Sequence, residues 1–420
     1  MMNRRWRTAF EFILSAAWAV LLCSCAGPGP ESGGPLHDMR DWPAGTSLPG
    51  LTLSPEGPAL LFAEERGDTV AIRWSQWSDA GWSKPVTIVE DTGLLVNWAD
   101  RPSMAFGPQG DAHAHWLRMD PRGDFCYGIE TAHSADGGLT WSEADRPHRD
   151  TAVAEHGFAQ WMPTREGAML AWLDGRQFDG HPNPAKAPME VRAARWTPAS
   201  GWSDELVLDS SACTCCPMAS AALSDGAYLL TYRDRTEDEI RDFSAVEIAS
   251  TGTHSIGLKQ GPVPVGADGW QIAGCPVNGS ALAAGSDRTL AVWFTNAEDQ
   301  PRIRMAWRSS EGAWSEVENL QRAEAVGRVA AAVDGGGRFH AVWMEREGDV
   351  PRLMGQSWTP GGDPLLEAPL ALTAVDDARA GGFPSLVGLE TGGVMLAWTT
   401  TGKEAHVRTA TWTPSPKKVD

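Results

Sequence analysis

Three cysteines fall within four residues in SACTCCPMAS: Cys213, Cys215 and Cys216. A fourth, Cys275, stands in GCPVNG. Thiols this close can close a disulfide with Cys275, hold a soft metal, or supply a nucleophile. Thiolates select Cu(I) or Zn(II), and four sulfurs complete a tetrahedral zinc site. Cys-x-Cys-Cys is not a zinc-finger spacing, and an exported chain favours disulfides, so the three readings stay open. No other cofactor is implied. A second group of residues could move protons or hold a charged ligand. NWADR carries Asp100; PHRDTAVAEHGF carries His148, Arg149, Glu155 and His156; WLDGR carries Asp174 and Arg176. YRDRTEDEIRD carries Tyr232, Arg233, Glu239 and Arg241, with eight charged residues in eleven. Carboxyls and imidazoles suit acid–base work, and guanidinium forks suit carboxylates. The expected ligand is therefore anionic or polyhydroxylated, of glycan type. The same residues could instead form mutual salt bridges and hold loop backbone.

The elements that must position these residues repeat. Of the aromatic residues, 21 are tryptophan and only 3 tyrosine. Tryptophan recurs in apolar segments (AHAHWL, GAMLAWL, LAVWF, FHAVWM, VMLAWT) and after turns (DAGWSKP, DGGLTWSE, ASGWSDE, EGAWSEV). A further short strand precedes each apolar segment. Units of four strands begin near residues 49, 102, 157, 216, 275, 327 and 381. Alternation and Gly-rich turns predict strands throughout, and four-stranded units at this period predict an all-β chain folded as a β-propeller. Seven units are counted, with a six-bladed ring as the alternative. The last unit shows three strands, so residues 38–48 are expected to complete it. Because strands alternate in direction, blade-to-blade connections and second-to-third-strand loops emerge on one face. All the segments above fall there, which predicts a funnel-shaped site over the central channel.

SADGGLTW, Ser134 to Trp141, matches Ser-x-Asp-x-Gly-x-Thr-Trp at each defined position. With it the chain resembles the sialidase-like, Asp-box (BNR-repeat) propeller superfamily over roughly residues 49–414. The set VNWADRPS, WLDGR, CTCCP, YRDRTEDEIRD and GWQIAGCPVNG is similar to a group of proteobacterial secreted "sialidase family" proteins. The resemblance implies, at most, an exo-α-sialidase-like glycoside hydrolase with a Tyr nucleophile, a neighbouring Glu, an Asp acid/base and an arginine clamp. Carried over, it points to Tyr232 with Glu239, to Asp100 and Asp174, and to Arg149, Arg176, Arg233 and Arg241. No tyrosine follows residue 232, and the Arg-Ile-Pro motif of sialidases is missing. Whether the chain is an enzyme stays open; the other class is a non-catalytic recognition or soft-metal-binding propeller built on Cys213, Cys215, Cys216 and Cys275.

MMNRRWR, then the apolar FILSAAWAVLL, then LLCSCAG, resembles a lipoprotein signal with its lipobox. That implies cleavage after residue 24, a lipidated Cys25, a flexible tether over 25–44, a single propeller over 45–415 and a tail over 416–420. Ala26 after the cysteine implies the outer membrane of a Gram-negative bacterium. Removing residues 1–24 takes basic residues from 35 to 32 and acidic from 54 to 53, so the mature net charge is near −21. Nucleic acid is excluded as a main partner, contact with membrane is through the anchor only, and a monomer is expected.

Overall fold

The computed structural model describes residues 34–414 except 124–125, 184–186 and 253. The expected signal segment, the expected lipidation site Cys25 and the tail lie outside the described residues. Seven antiparallel sheets follow one another along the chain. Their innermost strands are Thr46–Ser54, Ser103–Phe106, His156–Pro163, Ala219–Ala222, Ser280–Ala284, Glu324–Val333 and Ser385–Gly388. Each packs against the next, and the seventh returns to the first. The result is a seven-bladed β-propeller, as the repeat count predicts; the six-bladed alternative falls. A central channel of about 580 Å³ runs between small and apolar side chains such as Leu51, Ala105, Ala159, Ala221 and Ala283.

Closure of the ring shows why the last unit reads as three strands. Leu36–Asp41 pairs antiparallel with Val407–Trp412, from Leu36 opposite Trp412 to Asp41 opposite Arg408. The closing strand thus lies at 36–41 rather than 38–48, and the folded part begins about ten residues before the expected tether ends. LHDMRD is polar on most positions because it is an outer edge strand, which hides it from a search for apolar alternation.

The second strand of each blade carries one aromatic side chain at a fixed register: Phe62, Trp116, Trp172, Tyr232, Trp293, Trp343 and Trp398. All are at most 2% exposed. They fill the wedges between blades, where a large flat side chain removes the most apolar surface per residue. The polar edges of five are met by carboxylates. Trp116 donates to Glu130 (3.0 Å), Trp172 to Asp174 (2.8 Å), Trp293 to Asp268 (2.7 Å), Trp343 to Glu345 (2.5 Å), and the Tyr232 hydroxyl to Asp209. Burying an indole N–H or a phenol without an acceptor costs about 1–3 kcal/mol, so these acids belong to the core.

The Ser134–Trp141 turn is closed by its own side chains. Asp136 accepts from the Thr140 amide (2.9 Å) and hydroxyl (2.6 Å), and the Ser134 hydroxyl donates to Asp136 (2.7 Å). Gly137 and Gly138 take φ of +73° and +88°, open to glycine at no steric cost. The Gly138 carbonyl accepts from both Trp141 and Trp74, at 2.9 Å each, which ties the turn to the neighbouring blade.

Candidate functional site

The top face is organised by a repeated bulge. Three innermost strands shift register near their first residues, at Leu48, Phe158 and Arg328, whose φ values are +55°, +53° and +53°. At the sixth blade, Asn278 of the preceding blade accepts from the Arg328 amide (2.9 Å), and a Cβ on Gly327 would lie 2.2 Å from its Oδ1. At the third blade, Asp100 occupies the same place. A Cβ on Gly157 would lie 2.0 Å from its Oδ2, and the Phe158 amide faces it. Neither Asp100 oxygen has a well-formed partner, and burial pushes the carboxyl up to about 8. Protonated, it imitates the asparagine. Asp100 is 2% exposed and serves the bulge rather than a ligand.

The expected arginine clamp does not form. Arg233 is buried against Phe243 and Trp270 and donates to the carbonyls of Arg241 (2.7 Å), Phe294 (2.8 Å) and Asn278 (3.0 Å). Arg328 donates to Asp377 (2.7 Å) and Gly382 (2.9 Å), and Arg101 to Pro49 (3.1 Å). Each staples adjacent blades through carbonyls. Arg176 is held by Asp174 (2.6 Å), Glu205 (2.7 Å) and Asp150 (3.2 Å). Arg149 reaches Asp204 (3.0 Å) and the Trp202 carbonyl (2.6 Å) at the rim.

The catalytic pairing of Tyr232 with Glu239 is also overturned. Tyr232 is 0% exposed, and burial and Asp209 push its phenol well above the usual range. Glu239 instead grips Arg235 (2.6 Å) and Arg241 (2.7 Å), which hold it below the usual carboxylate range. Asp174, fully buried, holds Trp172 and Arg176 and is not a free acid. His148 and His156 stack at 4.0 Å with their planes 7° apart, and Asp150 lies 3.5 Å and 3.0 Å from them. The His148 Nε2 accepts from the Ile129 amide (3.3 Å). With that nitrogen taken and the Arg176 guanidinium on Asp150, the trio positions the loop and is poorly suited to a cation.

Two groupings remain. One is an acid–phenol pair missed by the sequence reading. The Tyr127 hydroxyl donates to Glu155 at 3.4 Å, and the two backbones bridge in parallel. Tyr127 is buried; Glu155 is half-buried, and burial pushes it up to about 7. The other is the thiols. Among the described residues no cysteine is in a disulfide, so the expected bridge between Cys275 and the cluster is absent. Cys213 lies 3.6 Å from Cys216 and 3.9 Å from Cys215, sulfur to sulfur. The Arg241 guanidinium donates to Cys213 at 3.3 Å. The neighbouring thiols and this cation hold Cys213 well below the usual thiol range, while burial pushes Cys216 up to about 12. Cys275 is exposed, 3.5 Å from the Thr214 hydroxyl.

No protein-family model matches the chain, and no curated protein matches it in sequence. Among solved structures, the polysaccharide lyase Uly1 superposes with a TM-score of 0.52 at 10% identity, over 87% of this chain and 90% of that one. A protein of unknown function from Dyadobacter fermentans gives 0.48 at 13% identity, over 79% and 98%. The NanB sialidase from Streptococcus pneumoniae gives 0.43 at 10% identity, over 90% and 70%. Fold and site together define a seven-bladed propeller with a polar, cysteine-bearing top face. At these identities the likeness extends to the fold alone.

Proposed function

We propose that this chain is an exported, lipid-anchored propeller whose top face binds a polyhydroxylated, glycan-type ligand, with Glu155 as its proton donor. The observation that carries this reading is the Glu155–Tyr127 pair. Of the acids that the sequence singles out, Asp100, Asp174 and Glu239 are consumed by a bulge, an indole and two guanidinium groups. Glu155 is half-buried, bonded to a phenol, and poised near neutrality, where a carboxyl can protonate a glycosidic oxygen. Half-buried Trp98, in the connection that carries Asp100, packs with Phe158 and Phe383 and stacks on Phe383 at 5.8 Å. The Arg328 guanidinium lies 5.3 Å over the same ring, so a sugar would meet Trp98 on its remaining exposed surface rather than on a free face. With Arg101, Arg233 and Arg328 committed to carbonyls, recognition runs through hydroxyls rather than a carboxylate clamp, so a sialoside is not the favoured substrate. The fold shared with a polysaccharide lyase is compatible with this reading.

The experiment is a binding and turnover screen with neutral, uronate-containing and sialylated oligosaccharides. A neutral or mixed glycan should bind, Trp98→Ala should weaken it by about tenfold or more, and Glu155→Gln should remove turnover while keeping binding. Wild-type protein that binds none of the three classes overturns the proposal.

A further inference from the structure

We infer that Cys213, Cys215, Cys216 and Cys275 form a thiolate site for one soft closed-shell ion, Zn(II) or Cu(I), at the seam between the fourth and fifth blades. A tetrahedral ion with metal–sulfur bonds of about 2.3 Å sets its sulfurs about 3.8 Å apart. Cys213 meets Cys216 at 3.6 Å and Cys215 at 3.9 Å, and all three sulfurs lie within 4.8 Å of one another. The separations suit three ligands around one point and are too long for covalent bonding.

The local structure explains how these sulfurs are held. The Cys213 amide donates to the Arg233 carbonyl at 2.9 Å, extending the pairing of Ala212 with Asp234. Cys213 and Cys216 are each 1% exposed, whereas Cys215 is half-buried against the core. The fourth ligand arrives on the neighbouring connection. Gly279 sits so close to the preceding blade that a Cβ would lie 2.4 Å from the Pro217 carbonyl oxygen. That contact draws the chain carrying Cys275 against the loop that ends at Cys216, with Cys275 beside Thr214. Within Cys-Pro-Val-Asn-Gly, Asn278 caps a bulge and Gly279 permits the seam. Cys275 is exposed beside Thr214 and lies outside the group of three sulfurs within 4.8 Å of one another, so its side chain swings inward to complete the shell.

Charge completes the case. Four thiolates with Zn(II), or with Cu(I), leave an excess of two or three negative charges. The Arg241 guanidinium at 3.3 Å from Cys213 offsets part of it and donates an N–H to sulfur, a supporting bond common around metal thiolates. Glu239 holds that guanidinium in place at 2.7 Å. On binding, each sulfur still protonated gives its proton to solvent as its metal–sulfur bond forms, and no electron moves.

The test uses the full chain purified without oxygen. Metal content is measured first; Zn(II) and Cu(I) are then titrated separately against competing chelators, with sulfur-to-metal absorption as the signal. One ion per chain, with all four thiols protected from alkylation, is expected, and the two titrations tell which ion is preferred. Exposed Cys275→Ser should fold normally by circular dichroism and bind at least about tenfold more weakly. Three results overturn the site: a disulfide among these cysteines in peptide mass spectra of the native protein, no stoichiometric binding of either ion, or unchanged affinity in the Cys275→Ser variant. Metal stoichiometry is read without any glycan and glycan binding without added metal, so failure of the glycan reading and failure of this one are separable.

Discussion

At the scale of single residues, the polar groups of the top face divide by what they touch. Asp100 and Asn278 do the same work with different chemistry, and the difference titrates. The folded chain keeps a proton on Asp100 up to about pH 8, whereas the unfolded chain loses it near 3.8. The folded state therefore binds more protons across that range, and stability falls as pH rises through it. Buried His115 and His133, pushed down to about 3 and about 2, act in the opposite sense below 6.5. Between pH 6.5 and 8 Glu155, pushed up to about 7, adds to the decline and Cys275, pushed down to about 6, opposes it, so across this window the share of Asp100, at most about 1.4 kcal/mol per pH unit, is read as the difference between wild type and Asp100→Asn. Asp100→Asn should raise the melting temperature at pH 8 and flatten its decline, as thermal melts across the window will show; a steeper decline would argue against a protonated Asp100. For Glu155, the proton needed for turnover is lost above about pH 7, so any glycosidic activity should fall on that side. Tyr232→Phe leaves Asp209 without its phenol and should cost about 1–3 kcal/mol. It should not create or abolish sialoside hydrolysis, which a fluorogenic assay measures directly.

At the scale of elements, the two faces of a blade carry different loads. The Ser134–Trp141 turn is held by Asp136 and by the Gly138 carbonyl on two indoles, remote from the top-face connections along the blade. Asp136→Ala should lower the melting temperature by a few degrees and leave ligand and metal affinity as they are. Loss of binding in a folded variant would show that the faces are wrongly assigned. The seam at Gly279 makes the opposite prediction. A methyl group there meets a backbone carbonyl rather than a flexible side chain, so Gly279→Ala must part the fourth and fifth blades. It should both destabilise the fold and weaken metal binding, while Gly180→Ala, with open space around it, costs only the strain of its positive φ.

At the scale of the whole molecule, the ring is sealed by Leu36–Asp41, the first described strand, on Val407–Trp412, the last. Deleting residues 35–42 exposes the edge of the seventh blade and removes buried Trp42 from Phe62 and Trp82, at 4.8 Å and 5.5 Å. Aggregation or a loss of several degrees in melting temperature is expected. A melt equal to that of the intact chain would mean that closure contributes nothing. The proposed lipid anchor is tested in the full chain. Cys25→Ser should abolish lipidation and release the protein from membranes, and unchanged membrane fractionation of that variant would overturn the anchor.

The repeat was legible in the sequence because each blade is a local unit with its own apolar segment and turn. A short strand before each apolar segment, with Gly-rich turns between, is enough to count blades. The register of the second strands placed Tyr232 among the core tryptophans, and reading it so would have removed it from the catalytic candidates. Clustering of the polar segments on one face was legible too, since strand alternation alone dictates it. Which of those residues were free was not. Whether Arg233 meets a ligand or three carbonyls, and whether Asp174 meets a substrate or an indole, depends on neighbours up to 61 residues away. Glu155 and Tyr127 lie 28 residues apart and meet only because adjacent blades pack. For the thiols, three positions were adjacent in the chain, but their separations and the approach of Cys275 along the Gly279 seam were decided by how one blade is pressed against the next.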